Sequence, residues 1–377
     1  MHNYVKDFIK QNEIPKLGLG FMRLPNHGSD DKINVEETIK MVDAYMAAGF
    51  NYFDTAYLYH GGNSETVLRE TVVKRYDRES FILVDKLPIW ACETPEDVER
   101  VFNEQLEKCG VTYFDIYLLH ALNAANNEKC ERLGAYEFCK RMKKEGKIKN
   151  FGFSFHGTTE DIRHIMENHH EQIDIVQLQL NYFDWLGMYR EQYEIVESYK
   201  KPVVCMEPVR GGMLARLPEK IGDTLTAANA DVSHASWAVR WVGSLPGVVN
   251  VLSGMSNMQQ LHDNINTLGS FKPLTDEEQT VIDDVAAALK QMPLVGCTSC
   301  NYCTNCPEGI EIPKIFELYN KFLNDRNMYG FRVAYKDIAA SKNAAACTAC
   351  GVCTAVCPQS IDIPGYMHEI TNLFDKQ

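Results

Sequence analysis

An α/β fold is what this sequence predicts: a (β/α)8 TIM barrel over residues 1–274, followed by a small α-helical domain over 275–377. Three observations predict it. From residue 15 to about 270, β-rich runs alternate with helical ones, the rhythm of a parallel sheet covered by helices. Eight such units fit in about 250 residues, the usual size of a closed barrel. Beyond them the chain has little β character and holds eight of its 13 cysteines.

The eight strand candidates follow in order. They are LGLGFM at 17–22, FNYFDT at 50–55, FILVDK at 81–86 and FDIYLLH at 114–120, then IKNFGFS at 148–154, DIVQLQLN at 174–181, PVVCME at 202–207 and VVNVLSG at 248–254. Most are near-continuous apolar runs, as expected of strands covered on both faces. Amphipathic stretches separate them, among them VEETIKMVDAYMAAG, SETVLRETVVKRY, TPEDVERVFNEQLEKCG and CERLGAYEFCKRMKKEG. Gly49, Gly110 and Gly146 sit where a helix should stop. A doubly wound open sheet is the alternative, but no G-x-G-x-x-G opens the first helix. After the linker FKPL, the stretch TDEEQTVIDDVAAALKQM reads as a helix capped by Thr275 or Asp276.

The 377 residues are 45% hydrophobic, enough for a large barrel core. A net charge of −13, from 38 basic and 51 acidic residues, gives no footprint for nucleic acid or for an anionic membrane. The opening MHNYVKDFIKQNEIP lacks a signal-peptide pattern, and no apolar run reaches membrane-spanning length. Cys92, Cys109, Cys130, Cys139 and Cys205 are scattered and read as buried core thiols. A reducing, cytoplasmic setting is expected.

The remaining cysteines form two nearly matched runs. The first is Cys297-x2-Cys300-x2-Cys303-x2-Cys306-Pro307, the second Cys347-x2-Cys350-x2-Cys353-x3-Cys357-Pro358. Four thiolates per site suit a 4Fe–4S cluster, and the second run has bacterial ferredoxin spacing, in which the fourth cysteine serves the other cluster. Cys297, Cys300, Cys303 and Cys357 are therefore assigned to one cluster, and Cys347, Cys350, Cys353 and Cys306 to the other. Zinc also takes four cysteines, but usually as two separated C-x2-C pairs. The segment between the runs reads as helical, so an α-helical ferredoxin-like domain is expected.

Active sites of such barrels lie at the carboxyl ends of the strands. There the chain places Asp54 and Tyr59 after strand two, Lys86 at the end of strand three and His120 at the end of strand four. Each alone has a bland reading as a cap or a hydrogen-bonded core residue. Adjacent strand ends delivering an acid, a phenol, an ammonium and an imidazole make a site.

The segments LGLGFMRLP, DTAYLYHGGNSE, LVDKLP and YLLHAL, with weaker matches GFS, VQLQLNY, EPVRGGML and GMSNMQQLHDN, resemble an aldo/keto reductase over roughly 15–270. With the cysteine tail, the chain is similar to the subgroup carrying a C-terminal 4Fe–4S module. The resemblance implies a catalytic tetrad. Tyr59 would be the general acid, its pKa lowered by Lys86, with Asp54 holding Lys86 and His120 orienting a carbonyl. Tyr57 is the rival for Tyr59; the five-residue step from Asp54 favours Tyr59.

The resemblance also implies a nicotinamide cofactor. Ser154 and Gln177 would hold its carboxamide, Gly211, Gly212 and Leu214 its pyrophosphate, and Gly254, Ser256, Gln260 and Asn264 its adenosine end. Met206 stands where an aromatic commonly stacks on the ring, and Phe155 where an Asn usually follows the serine. Ser256 and Asn257 are neutral where a cation usually meets the 2′-phosphate of NADP, which points to NADH and leaves a flavin open. His156 reads either as a pocket residue or as a loop residue, and His169-His170 as a solvated helix end. Tyr182, Phe183 and Trp185 read either as an apolar substrate wall, the favoured reading, or as packing under the loop.

Two functions are expected to compete. One is a nicotinamide-dependent reductase of a small carbonyl or alcohol substrate. The other is an iron–sulfur electron-transfer protein whose barrel is a scaffold or binds flavin, with a redox protein as partner. Neither a nucleic acid nor a membrane is an expected partner.

Overall fold

The computed structural model of the chain describes residues 1–375. Eight parallel strands close into one barrel in sequence order. They are β1 (Leu17–Gly20), β2 (Tyr52–Asp54), β3 (Ile82–Leu87), β4 (Phe114–Leu122), β5 (Ile148–Phe155), β6 (Ile175–Gln179), β7 (Val203–Met206) and β8 (Val248–Ser253). Closure is made by β8 on β1, with Leu17 opposite Val251. All eight strands overlap the runs read from sequence; β3 and β5 extend one residue past them and β4 two. The chain divides into two compact units: Met1–Val209 with Ala230–Ile282, and Arg210–Asn229 with the chain from Asp283 on. The division falls within helix Asp276–Lys290.

In the first unit, the two-residue period of the strands fills the barrel interior. Tyr52, Ile82, Val84, Ile116, Leu118, Ile175 and Val204 form one buried cluster with Val5 and Ile14. Val5 lies on a helix over Asn3–Asn12 whose Phe8 and Ile9 pack on the same cluster. That helix was not anticipated, because it precedes the repeating units. Two expected helices are broken. Gly134, at φ 68°, interrupts the predicted run 130–146, which is shared between the helices Ala124–Arg132 and Ala135–Lys144. Ser64–Leu68 continues through a wider π-type turn at Arg69–Val73. Gly49, Gly110 and Gly146 have φ of 85°, 71° and 75°, as helix stops require. Thr275 caps helix Asp276–Lys290, its Oγ1 accepting from Glu278 N at 3.2 Å. No helix among the described residues is long and apolar enough to cross a membrane.

Gly152 on β5 marks a close approach. A Cβ there would lie 1.9 Å from the carbonyl oxygen of Ile175 on β6, and a strand backbone has no side-chain freedom with which to yield. Gly152→Ala is expected to destabilise the protein at or above the top of the ~1–3 kcal/mol range of overpacking. Chemical denaturation would measure it, and a loss well under 1 kcal/mol would contradict the tight β5–β6 contact.

The second unit is helical, as the sequence predicts. Glu219–Ala228, Ile312–Asp325, Met328–Lys336 and Ile363–Asp375 are among its helices. Ile315, Phe316, Phe331, Ile363, Met367 and Ile370 lie in its buried core, and most of the tail cysteines pack against the same cluster.

Candidate active site and cysteine centres

Asp54 ends β2, Lys86 is the penultimate residue of β3 and His120 lies in β4. Alternation aims Lys86 into the barrel above Ile82 and Val84. Its Nζ donates to Asp54 Oδ1 at 2.6 Å and to the carbonyl of Thr55 at 2.7 Å. Both partners of the pair are buried, 0% and 1% exposed. The same Nζ lies 5.0 Å from the centroid of the Tyr59 ring. Tyr59 meets His120 edge to face, with ring centroids 5.9 Å apart. The four side chains are thus brought together at one end of the barrel. Tyr57 instead donates its hydroxyl to Glu104 at 3.0 Å and lies under Lys108, so it is turned outward.

Electrostatics correct one expectation. The phenol of Tyr59 is pushed well above its ordinary value near 10, chiefly by burial and then by Asp54; the cation that draws it down is Arg23. Lys86, already paired with Asp54, does not make Tyr59 more acidic than an ordinary tyrosine. Burial pushes the Asp54 carboxyl up, against the pull of Lys86. Burial also holds His120 well below the usual histidine range, with Lys86 and His156 adding to the effect. At neutral pH the site therefore presents a protonated phenol beside a neutral imidazole.

Three neighbours of the site went unread in the sequence. Trp90, on the short turn after β3, lies with its ring centroid 5.0 Å from that of His120. Arg23 and Glu207 form a 2.6 Å ion pair between the segments after β1 and β7. The signals were FMRLP and the Glu after Met206, but loop residues have no periodicity to assign them a direction. His156 is half-buried, its imidazole pushed down to about 4 by burial, and its field reaches His120. The apolar wall is a correction. Tyr182 is 2% exposed and packs edge to face on Trp241, as does Trp185, so both support the loop from beneath. His169 also differs: it stacks on Tyr136 at 3.7 Å and bonds Glu131.

The cofactor candidates divide between the two units. In the barrel, Ser154 and Gln177 are opposite each other on β5 and β6. Ser154 Oγ accepts from Ala121 N at 2.8 Å. Gln177 Nε2 donates to Met206 Sδ at 3.7 Å, while its Oε1 is buried with no hydrogen-bond partner. An orphaned acceptor on a barrel strand is fitted to a ligand N–H, such as a carboxamide. Asn264 donates to Ser253 and leaves its own Oδ1 similarly unpaired. Gln260 accepts from Ser256 N at 2.8 Å, and Gly254 leaves room for the Arg23 side chain. Gly211, Gly212 and Leu214 fall in the segment that groups with the second unit.

In that unit the tail cysteines gather in two sets. The Cys303 thiol is pushed up to about 12, by burial first and then by Cys300, Cys297 and Cys357. Cys357 acts on Cys297 as well, whereas Cys353 feels Cys306. The fourth cysteine of each run is thus felt by a cysteine of the other run. Clustered thiols that raise one another's pKa are the donor set an iron–sulfur cluster relieves by binding them as thiolates. The five scattered cysteines are all buried, as read from the sequence.

Comparison with known proteins adds the family context. A model described as the aldo/keto reductase family matches residues 16–287, and one described as a 4Fe-4S dicluster domain matches 296–361. The uncharacterized oxidoreductase YqkF of Bacillus subtilis is 24% identical over 297 residues, covering 71% of this chain and 90% of its own. The NADH-specific methylglyoxal reductase of Escherichia coli is 23% identical over 288 residues, covering 64% and 85%. Among solved structures, an aldo/keto reductase from Klebsiella pneumoniae in complex with NADP and acetate has a TM-score of 0.59 at 22% identity, covering 72% of this chain and 92% of that one. The holo form of an aldo-keto reductase from Bacillus halodurans has a TM-score of 0.57 at 22% identity, covering 72% and 91%. Both share the barrel fold.

Proposed function

Because the chain belongs to the aldo/keto reductase family and carries a C-terminal 4Fe–4S domain, we propose that this oxidoreductase reduces a small carbonyl with a nicotinamide cofactor. The observation that carries the reading is the buried Lys86–Asp54 pair set against the ring of Tyr59 beside His120. The nicotinamide, when bound, supplies a hydride to the carbonyl carbon. Tyr59 donates its phenolic proton to the carbonyl oxygen as negative charge develops there. A phenol raised by burial stays protonated across neutral pH, so the acid form is always present. Lys86 offers the positive charge that a forming phenolate needs, and Asp54 fixes that ammonium in place. His120, held neutral, can donate a hydrogen bond to the same oxygen without competing for its proton. Trp90 keeps His120 in position and excludes water from its face. Ser154 and Gln177 are the groups that would hold the carboxamide, and the unpaired Gln177 Oε1 fits that role.

Eight cysteines in two sets support two clusters, each adding one-electron capacity. A hydride is two electrons at once, so the clusters and the tetrad do not share a step without a carrier that splits the pair. The tetrad geometry favours the enzyme reading over a scaffold barrel. A redox protein remains the partner class for the clusters.

NADH is the proposed cofactor. The segment GMSNMQQ, at 254–260, carries no cation, and a 2′-phosphate without Arg or Lys is poorly held. Arg210, the cation of the loop after β7, has its guanidinium against Gly296. One relative at 23% identity is NADH-specific while a neighbour at 22% was solved with NADP, so the residues at the phosphate decide. Anaerobically purified protein is expected to oxidise NADH in the presence of small aldehydes or 1,2-dicarbonyls, and to bind NADH at least as tightly as NADPH by fluorescence titration. A clear NADPH preference would overturn the choice of cofactor. Binding of neither dinucleotide would favour a flavin-bearing or scaffold barrel.

A further inference from the structure

The segment after β7 resembles a nucleotide loop in sequence, yet its own contacts point elsewhere. Three successive residues, Arg210, Gly211 and Gly212, have φ of 50°, 64° and 94°. Left-handed backbone is ordinary for the glycines, but for Arg210 it persists only where the surroundings over-determine it. The surroundings are the first cysteine run. A Cβ on Gly211 would fall 2.2 Å from the carbonyl oxygen of Thr298 and 2.7 Å from its Cα, so backbone touches backbone between Cys297 and Cys300. A Cβ on Gly296 would fall 3.0 Å from Arg210 Nη2, which sets the guanidinium beside the residue that precedes Cys297. Arg210 and Thr298 are both buried, 6% and 3% exposed.

We propose that Arg210 is a built-in part of the first cluster's site, a fixed guanidinium that raises the reduction potential of the cluster held by Cys297, Cys300, Cys303 and Cys357. Gly211 is the residue that lets it seat there. One-electron reduction, by whatever external donor, adds one negative charge to a site that four thiolates already make anionic. A cation beside it at low exposure stabilises the reduced form more than the oxidised one. An arginine cannot be deprotonated in the working pH range, so the effect is constant. The glycines that look like a phosphate cradle therefore have a second employment in seating this loop on the cysteine run.

The proposal rests on the reading that the tail holds two clusters, and its test separates the two. The full-length protein, purified anaerobically and free of nucleotide, is titrated with a reductant and followed by electron paramagnetic resonance. The step of the first cluster is the one lost in Cys300→Ser. Arg210→Gln is expected to lower the potential of that step and leave the other unmoved, while Arg210→Lys keeps it closer to the wild-type value. An Arg210→Gln protein loaded with both clusters and unmoved in potential overturns the proposal alone. If Arg210→Gln loses the first cluster and Arg210→Lys restores neither loading nor potential, Arg210 is a packing element and the proposal also fails. Wild-type protein with no cluster signal overturns the cluster reading and the proposal with it.

Discussion

Tyr59→Phe is expected to lower carbonyl turnover by about 10²- to 10⁴-fold, the usual contribution of a positioned general acid, with NADH affinity almost unchanged. Each factor of ten is about 1.4 kcal/mol of barrel-held transition-state stabilisation. The change removes one oxygen from a residue that is 8% exposed and leaves the ring on which Lys86 and His120 rest. A loss in kcat and kcat/KM together, without a loss in binding, would identify an interaction made only as the proton moves. The pH profile provides a second signature. Because burial and Asp54 hold the phenol well above 10, deprotonation of Tyr59 removes no activity between pH 7 and 9. Because His120 is held well below its ordinary range, its protonation limb lies on the acid side of the usual histidine range. A Tyr59→Phe protein with full turnover on the true substrate would sink the tetrad and restore the scaffold reading.

The placement of this site was legible because strand ends are legible. Asp54, Lys86 and His120 each close an apolar run of fixed period, so alternation gives them a direction and the barrel gives them a common end. Tyr59 came from a short spacing out of β2, and Tyr57 was separated from it by the same count. The state of these groups was not legible. The phenol's pKa depends on burial by residues from several loops, and the cation that opposes burial is Arg23 and not Lys86. Trp90 and the Arg23–Glu207 pair were missed for a related reason: their directions are set by turns after the strands. The aromatic trio after β6 misled, since Tyr182 and Trp185 have the composition of a pocket wall but pack on Trp241. Sequence position misled once more at residues 210–229, which follow a barrel strand and group with the cysteine-bearing unit. Only the contact of Gly211 with Thr298 reveals why.

Cys357→Ser and Cys306→Ser are expected to have crossed effects. Wild-type protein purified without oxygen should carry about eight iron and eight acid-labile sulfide, as two cubanes require. Cys357→Ser should bring the iron to about four, by removing the cluster of the first run, although Cys357 stands in the second. Cys306→Ser should remove the cluster of the second run. The physical ground is the mutual action of the thiols: Cys357 raises Cys297 and Cys303, and Cys306 raises Cys353. Charges act at short range inside a partly buried site, so the fourth thiol of each run is expected to serve the other run's cluster. The cysteines pack against the apolar core of the second unit, so removing a cluster should also loosen that core, because metal binding is itself folding free energy. The signal to follow is which cluster survives, read by electron paramagnetic resonance beside the iron count. Loss of the second run's cluster in Cys357→Ser would show that each run ligates its own. A colourless protein with stoichiometric zinc would mean that the same eight thiols serve a structural metal, and the barrel would then work with hydride alone.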